Sequence, residues 1–225
     1  MANHKNLIPF IKRWEGGISK DTRDQCSKDP LPDGSGYHTN KGICWMTFKS
    51  VFGDSKESVA RFYAMNDADW EKVYKGTFWD KIKGDDIKSQ RIADALANWA
   101  WGSGVGTPAK TIQKIVGVKA DGVIGKQTVD AINSGNEEDI YNKFKKANID
   151  FFDRLSSQPT YSMYRKGWFN RLNDLYDSYM KTVKGYASEG LEAVKKKPVR
   201  TIAILVLTGM AIYGLYWANK KAKRK

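Results

Sequence analysis

The sequence predicts an all-α body, and three observations carry that prediction. Apolar residues recur at the three- and four-residue spacing of a helix along most of residues 6–175. Clusters of Gly, Pro, Asp and Ser interrupt them at short intervals. Almost no stretch alternates polar and apolar residues as a half-buried strand does. The chain has 225 residues, 41% of them hydrophobic, which is enough to bury a core without disulfide staples.

The first helix is read over residues 6–14, where Leu7, Ile8, Phe10, Ile11 and Trp14 share a face. Gly16 and Gly17 end it and let the chain turn, which puts Glu15 in its last turn. Residues 20–40 are rich in Asp, Pro, Gly and Ser and read as a loop or short hairpin. Helical pieces follow over residues 45–63. Asn66 then supplies a cap for a helix with Trp70, Val73 and Tyr74 on one face. The most apolar helix runs through SQRIADALANWAWGSG, with Ile92, Ala95, Leu96 and Trp99 as its stripe. Two short helices flank the turn at Asp121-Gly122. The stretches EEDIYNKFKKANIDFFDRL and YRKGWFNRLNDLYDSYMKTV are each strongly periodic.

Beyond this body the composition changes. Residues 178–200 form a linker that turns basic at Lys195, Lys196 and Lys197. Residues 201–218, TIAILVLTGMAIYGLYWA, hold no charged side chain. At about 1.5 Å per residue they nearly span a bilayer core of about 30 Å. Tyr213, Tyr216 and Trp217 lie toward one end, as in an interfacial belt. A basic tail, residues 219–225, follows. The segment therefore reads as a single transmembrane helix that anchors the protein to a lipid bilayer. Both flanks are basic, so the positive-inside rule assigns no orientation. The N-terminus has no apolar run of signal-peptide length, which predicts no cleaved signal.

Charge placement narrows the function classes. The net charge is +13, yet residues 191–225 hold nine basic side chains and one acidic one. The preceding 190 residues are close to balanced, with 29 basic and 24 acidic. A nucleic-acid protein concentrates charge on a folded face, whereas here it flanks an apolar run and suits a membrane surface. No nucleic-acid partner is expected. Cys26 and Cys44 fit neither a disulfide scaffold nor a zinc spacing; they read as two thiols or as one bridge. No phosphate-binding glycine loop or nucleophile elbow occurs, and no metal or cofactor is expected.

Glu15 is the main candidate for chemistry. It directly follows Trp14, and two glycines leave room beside it. Burial against an aromatic disfavours a carboxylate anion, and a carboxyl kept neutral can protonate a leaving oxygen. Glycoside cleavage usually needs a second group that handles water or positive charge. Asp33 precedes Thr39 by the gap that separates the Asp and Thr of the Glu–Asp–Thr site in some phage lysozymes. His38, Thr39, Asn40 and Lys41 form a compact polar patch closing on Gly42, suited to sugar hydroxyls. Trp14, Tyr37 and Trp99 add flat rings that suit pyranose faces.

Taken together, the segments RWEGGISKD…DGSGYHTNKGI, FWDKIKGDDI, ALANWAWGSG, IQKIVGVKADGVIGKQTVDAI and YRKGWFNRL resemble glycoside hydrolase family 108, the N-acetylmuramidases of phage endolysins and secretion-associated muramidases. The resemblance covers about residues 6–175. It implies a lysozyme-like helical region over 1–105 and a peptidoglycan-binding-type region over 106–177 packed on it. It also implies cleavage of the β-1,4 link between N-acetylmuramic acid and N-acetylglucosamine, with Glu15 as catalytic acid. The chain departs from that pattern in a longer loop before Thr39, in Asp33-Gly34-Ser35-Gly36, and at Asn98 and Gly102.

The expected function is thus a monomeric, membrane-anchored peptidoglycan hydrolase of the bacterial inner membrane, acting on glycan strands. Asp33 and Thr39 are the accessory catalytic candidates. Trp14, Tyr37, His38, Asn40, Lys41 and Trp99 are the substrate-binding candidates. A non-catalytic peptidoglycan-binding protein is the alternative.

Overall fold

The computed structural model describes residues 1–20, 31 and 38–177. Asp33, Tyr37, Cys26 and the apolar run 201–218 lie outside the described residues. The chain divides into one unit over Met1–Leu175 and a second over Tyr176–Lys225, of which only residues 176 and 177 are described. No helix among the described residues is long and apolar enough to cross a membrane.

The described chain is mostly helical, as the periodicity predicts. After a short turn of 3-10 helix at His4–Asn6, α1 runs Ile8–Trp14 with Pro9 in its first turn, where a missing N–H is harmless. Helices α2 (Trp45–Phe52), α3 (Lys56–Tyr63) and α4 (Asp67–Tyr74) follow a short sheet. The Asn66 side chain accepts from the Asp69 backbone N–H at the start of α4, as its cap signal predicts. A turn of π-helix, Lys75–Trp79, carries on directly from α4. Then come α5 (Gln90–Ser103), α6 (Gly106–Ile115), α7 (Lys126–Ser134) and α8 (Glu137–Ser156). Residues 165–177 form the helix termed α9.

Helix α5 is the spine. Every residue from Ile92 to Ala100 is buried, and α5 packs against both α6 and α8. Complete burial of Ile92 and Leu96 contributes roughly 1.5–3 kcal/mol each relative to exposure. Trp99 is 1% exposed and meets Phe144 and Phe151 of α8, with ring centroids at 5.1 and 5.4 Å. A second aromatic cluster joins Trp45, Phe48 and Phe62 of α2 and α3. A third gathers Trp70, Tyr74 and Phe78 around Trp101. Most of the abundant tryptophan in the body is therefore core: Trp45, Trp70, Trp79 and Trp99 are all buried.

Among the described residues, a small antiparallel sheet is the one departure from an all-helical reading. Strand β1 (Ile18–Ser19) pairs with β2 (Thr39–Asn40), which pairs with β3 (Ile43–Cys44). Strands of two residues are too short to show alternation in a sequence. The β2–β3 connection is the two-residue loop Lys41-Gly42, with φ +48° and +79°. Positive φ at both loop positions matches the twist of a tight hairpin, and Gly42 accepts it without strain.

Candidate active site

Glu15 does not lie within the last turn of α1. It caps the helix in an extended conformation (φ −97°, ψ 137°), with its backbone N–H donating to the Lys12 carbonyl. The turn at Gly16-Gly17 then leads into β1, which brings the β2–β3 hairpin back over the carboxyl group. A Cβ placed on Gly42 would sit 2.3 Å from Glu15 Oε2, so the hairpin backbone lies directly against that oxygen.

The other oxygen is held by donors from two distant helices. Trp101 Nε1 of α5 donates to Glu15 Oε1 at 2.7 Å. Arg171 Nη1 of α9 donates to the same Oε1 at 2.5 Å. The Glu15 and Arg171 side chains retain 17% and 18% of their exposure, so the pair is mostly sheltered yet reachable. Arg171 is itself held from behind: its Nε donates to Oδ1 of the buried Asn98 on α5 at 3.0 Å. Its Nη2 is buried and has no hydrogen-bond partner among the described residues.

A neighbouring pair ties the same elements together. Trp14 Nε1 donates to Asp174 Oδ2 at 2.9 Å, and Arg13 pairs with that oxygen too. Trp14 was expected to set the surroundings of Glu15, but its polar edge faces Asp174. The indole that reaches the Glu15 carboxyl group is Trp101.

The hairpin residues are fixed by the scaffold. Asn40 is 3% exposed, and its Nδ2 donates to the Phe62 carbonyl at 2.7 Å. Lys41 Nζ donates to the Met65 carbonyl at 2.7 Å, and the Lys41 carbonyl accepts from Trp70 Nε1 at 3.0 Å. His38 is buried, and its Nδ1 shares a hydrogen bond with the Tyr63 hydroxyl. As expected sugar-binding groups, His38 and Asn40 are corrected: both point into the protein and hold the hairpin against α3. The Lys41 ammonium is likewise engaged with the end of that helix. Thr39 remains half-exposed on β2, opposite Ser19 and Cys44.

Trp99 is corrected in the same way, since it faces the α8 core rather than Glu15. Two positions further along α5, Trp101 stands half-exposed at the site. The signal for it was present in the sequence. Gln90, Asp94, Asn98 and Trp101 recur every three or four residues along α5, opposite the Trp99 stripe. Gln90 donates to Asp94, Asn98 holds Arg171, and Trp101 holds Glu15. Among the described residues no group of three or more His, Cys, Asp and Glu side chains is placed to hold a metal ion.

Comparison with known proteins places two family matches on this chain. Residues 8–104 match the family described as Glycosyl hydrolase 108. Residues 107–173 match the family described as Predicted Peptidoglycan domain. Among solved structures the chain is similar to SagA of Brucella abortus, at 27% identity and a TM-score of 0.60, over 79% of this chain and 93% of that one. No curated protein matches. Glu15 and Trp101 lie in the first matched segment and Arg171 in the second.

Proposed function

Because residues 8–104 match glycosyl hydrolase 108 and residues 107–173 a peptidoglycan domain, we propose that this chain is an N-acetylmuramidase. It cleaves the β-1,4 bond between N-acetylmuramic acid and N-acetylglucosamine, with Glu15 as general acid. The observation that carries this reading is the division of labour between the two oxygens of Glu15. Oε1 accepts from Trp101 and Arg171, which fixes the carboxyl plane. Oε2 is left for the proton, against Gly42, where a larger residue would collide with the carboxyl group.

In the reaction, the Oε2–H bond breaks and its proton passes to the glycosidic oxygen. The C1–O bond breaks, its electron pair stays on that oxygen, and water supplies the new hydroxyl at C1 while releasing its other proton to solvent. Glu15 is left as a carboxylate facing two donors. Thr39, on the strand leading into the hairpin, and Asp33 are the groups proposed to position the water.

Glu15→Gln preserves shape and removes the transferable proton. The variant keeps the wild-type melting temperature and fails to clear a cell-wall zymogram, while the wild type clears it. Mass spectrometry of wild-type digests finds reducing muramic acid ends. Clearing by the Gln variant at the wild-type rate rejects the assignment, and a wild type that binds walls without cutting them favours the purely binding alternative.

The apolar run 201–218, flanked by basic clusters, is proposed to anchor the protein in the bacterial inner membrane with the folded body on the wall side. The full chain then sediments with membranes and resists carbonate extraction, whereas a chain ending at residue 200 is released.

A further inference from the structure

We propose that Arg171 is a positioning residue for Glu15, supplied by the peptidoglycan-type segment to a reaction centre otherwise built by the hydrolase segment. This inference rests on the reading of Glu15 as the reacting acid. Arg171 comes from the segment expected only to bind wall, yet its Nη1 lies 2.5 Å from Glu15 Oε1.

The surroundings of the guanidinium direct it at this one carboxyl group. Asn98, buried at 4% exposure, accepts from Nε at 3.0 Å. An amide orients the guanidinium without neutralising it, whereas a carboxylate at 98 would compete with Glu15 for the charge. Nη2 is buried and unpartnered among the described residues, so the fork has one donor in reserve.

That arrangement serves both protonation states of Glu15. In the neutral acid, with its proton on Oε2, the carbonyl-like Oε1 has two lone pairs for Trp101 and Arg171. As the proton leaves, negative charge spreads over both oxygens, and the guanidinium is already in place to meet it. Preorganised donors aimed at developing charge are a large source of rate enhancement, because nothing must reorganise as the reaction proceeds.

The test uses the intact protein with Arg171→Met and Arg171→Lys. Arg165→Met serves as control: Arg165 lies on the same helix but pairs with Asp153. Turnover of purified peptidoglycan is read together with the NMR signal of the Trp101 indole N–H, which reports the carboxyl position whether or not glycan is cut. The signal is assigned by its loss in Trp101→Phe.

Arg171→Met is expected to lose about a hundredfold in kcat, as when a preorganised donor is removed from a transition state. KM changes less than about twofold, the Trp101 signal moves, and millimolar guanidinium restores part of the rate. Arg171→Lys retains an intermediate rate, and Arg165→Met matches the wild type. A Trp101 signal that stays in place in Arg171→Met, or kcat within about twofold of the wild type, overturns the proposal. So does a rate loss matched by a fall in melting temperature and not restored by guanidinium. If the Trp101 signal moves but the wild type cuts no glycan, the positioning stands and the muramidase reading fails.

Discussion

Arg171 and Glu15 are 156 positions apart in the sequence and 2.5 Å apart between Nη1 and Oε1. The contact closes a loop through three elements, because Arg171 is also held by Asn98 of α5 and Asp174 of the same helix holds Trp14 of α1. The carboxyl group at the end of α1 is therefore oriented by the far end of the folded body.

Gly42→Ala is expected to damage the site twice. A Cβ would meet Glu15 Oε2 at 2.3 Å, and an alanine at φ +79° costs about 1–2 kcal/mol. Displacing a reacting group by about 1 Å can cost about a hundredfold in rate. Glycan turnover falls by that order, with a lower melting temperature measured by circular dichroism.

Trp101→Phe keeps a ring among Trp70, Tyr74 and Phe78 but removes the donor to Oε1. A hydrogen bond to a charged group contributes about 1.5–3 kcal/mol, so kcat drops by about ten- to a hundredfold. Steady-state kinetics should find the loss in kcat, not in KM.

Asn40→Ala separates a scaffold role from a sugar-binding one. The Phe62 carbonyl loses its buried donor, a cost of about 1–3 kcal/mol in stability. Urea unfolding reads that loss, while the affinity of the inactive Glu15→Gln protein for cell walls is unchanged by adding Asn40→Ala. Weaker wall binding in the double variant would return Asn40 to the substrate-contacting set.

Acid should destabilise the body through paired carboxylates. The Arg61 guanidinium, donating to Asp69, holds that carboxyl below its usual range, and the His4 ring does the same for Glu71. A depressed folded-state value means the stabilisation is present above the unfolded value, about 4. It is lost as pH falls from there through the folded value. The difference in melting temperature between the wild type and Asp69→Asn should be present at pH 7 and narrow as pH falls below about 4.

The helices were legible because most bury one stripe, and the cap at Asn66 falls where the sequence placed it. Glu15 stood out through the Trp-Glu-Gly-Gly run and the resemblance. Its partners were hidden for physical reasons. Trp99 and Trp101 have the same composition signal, and only the helical angle between them decides which is core and which is site. His38 and Asn40 are polar, and a sequence cannot say whether a polar side chain satisfies solvent, ligand or a buried carbonyl. Arg171 lay in a matching stretch, but its reach to Glu15 depends on how α9 folds back, a long-range pairing that no local pattern encodes.

The Lys41-Gly42 loop is clamped on several sides: by Trp70, by Met65 and, through the Lys41 N–H, by the Gly17 carbonyl. A wall built in this way cannot be traded between enzymes as a cassette. Transplanting the six-residue hairpin into a related scaffold would carry the glycine but abandon the indole and carbonyls that hold it.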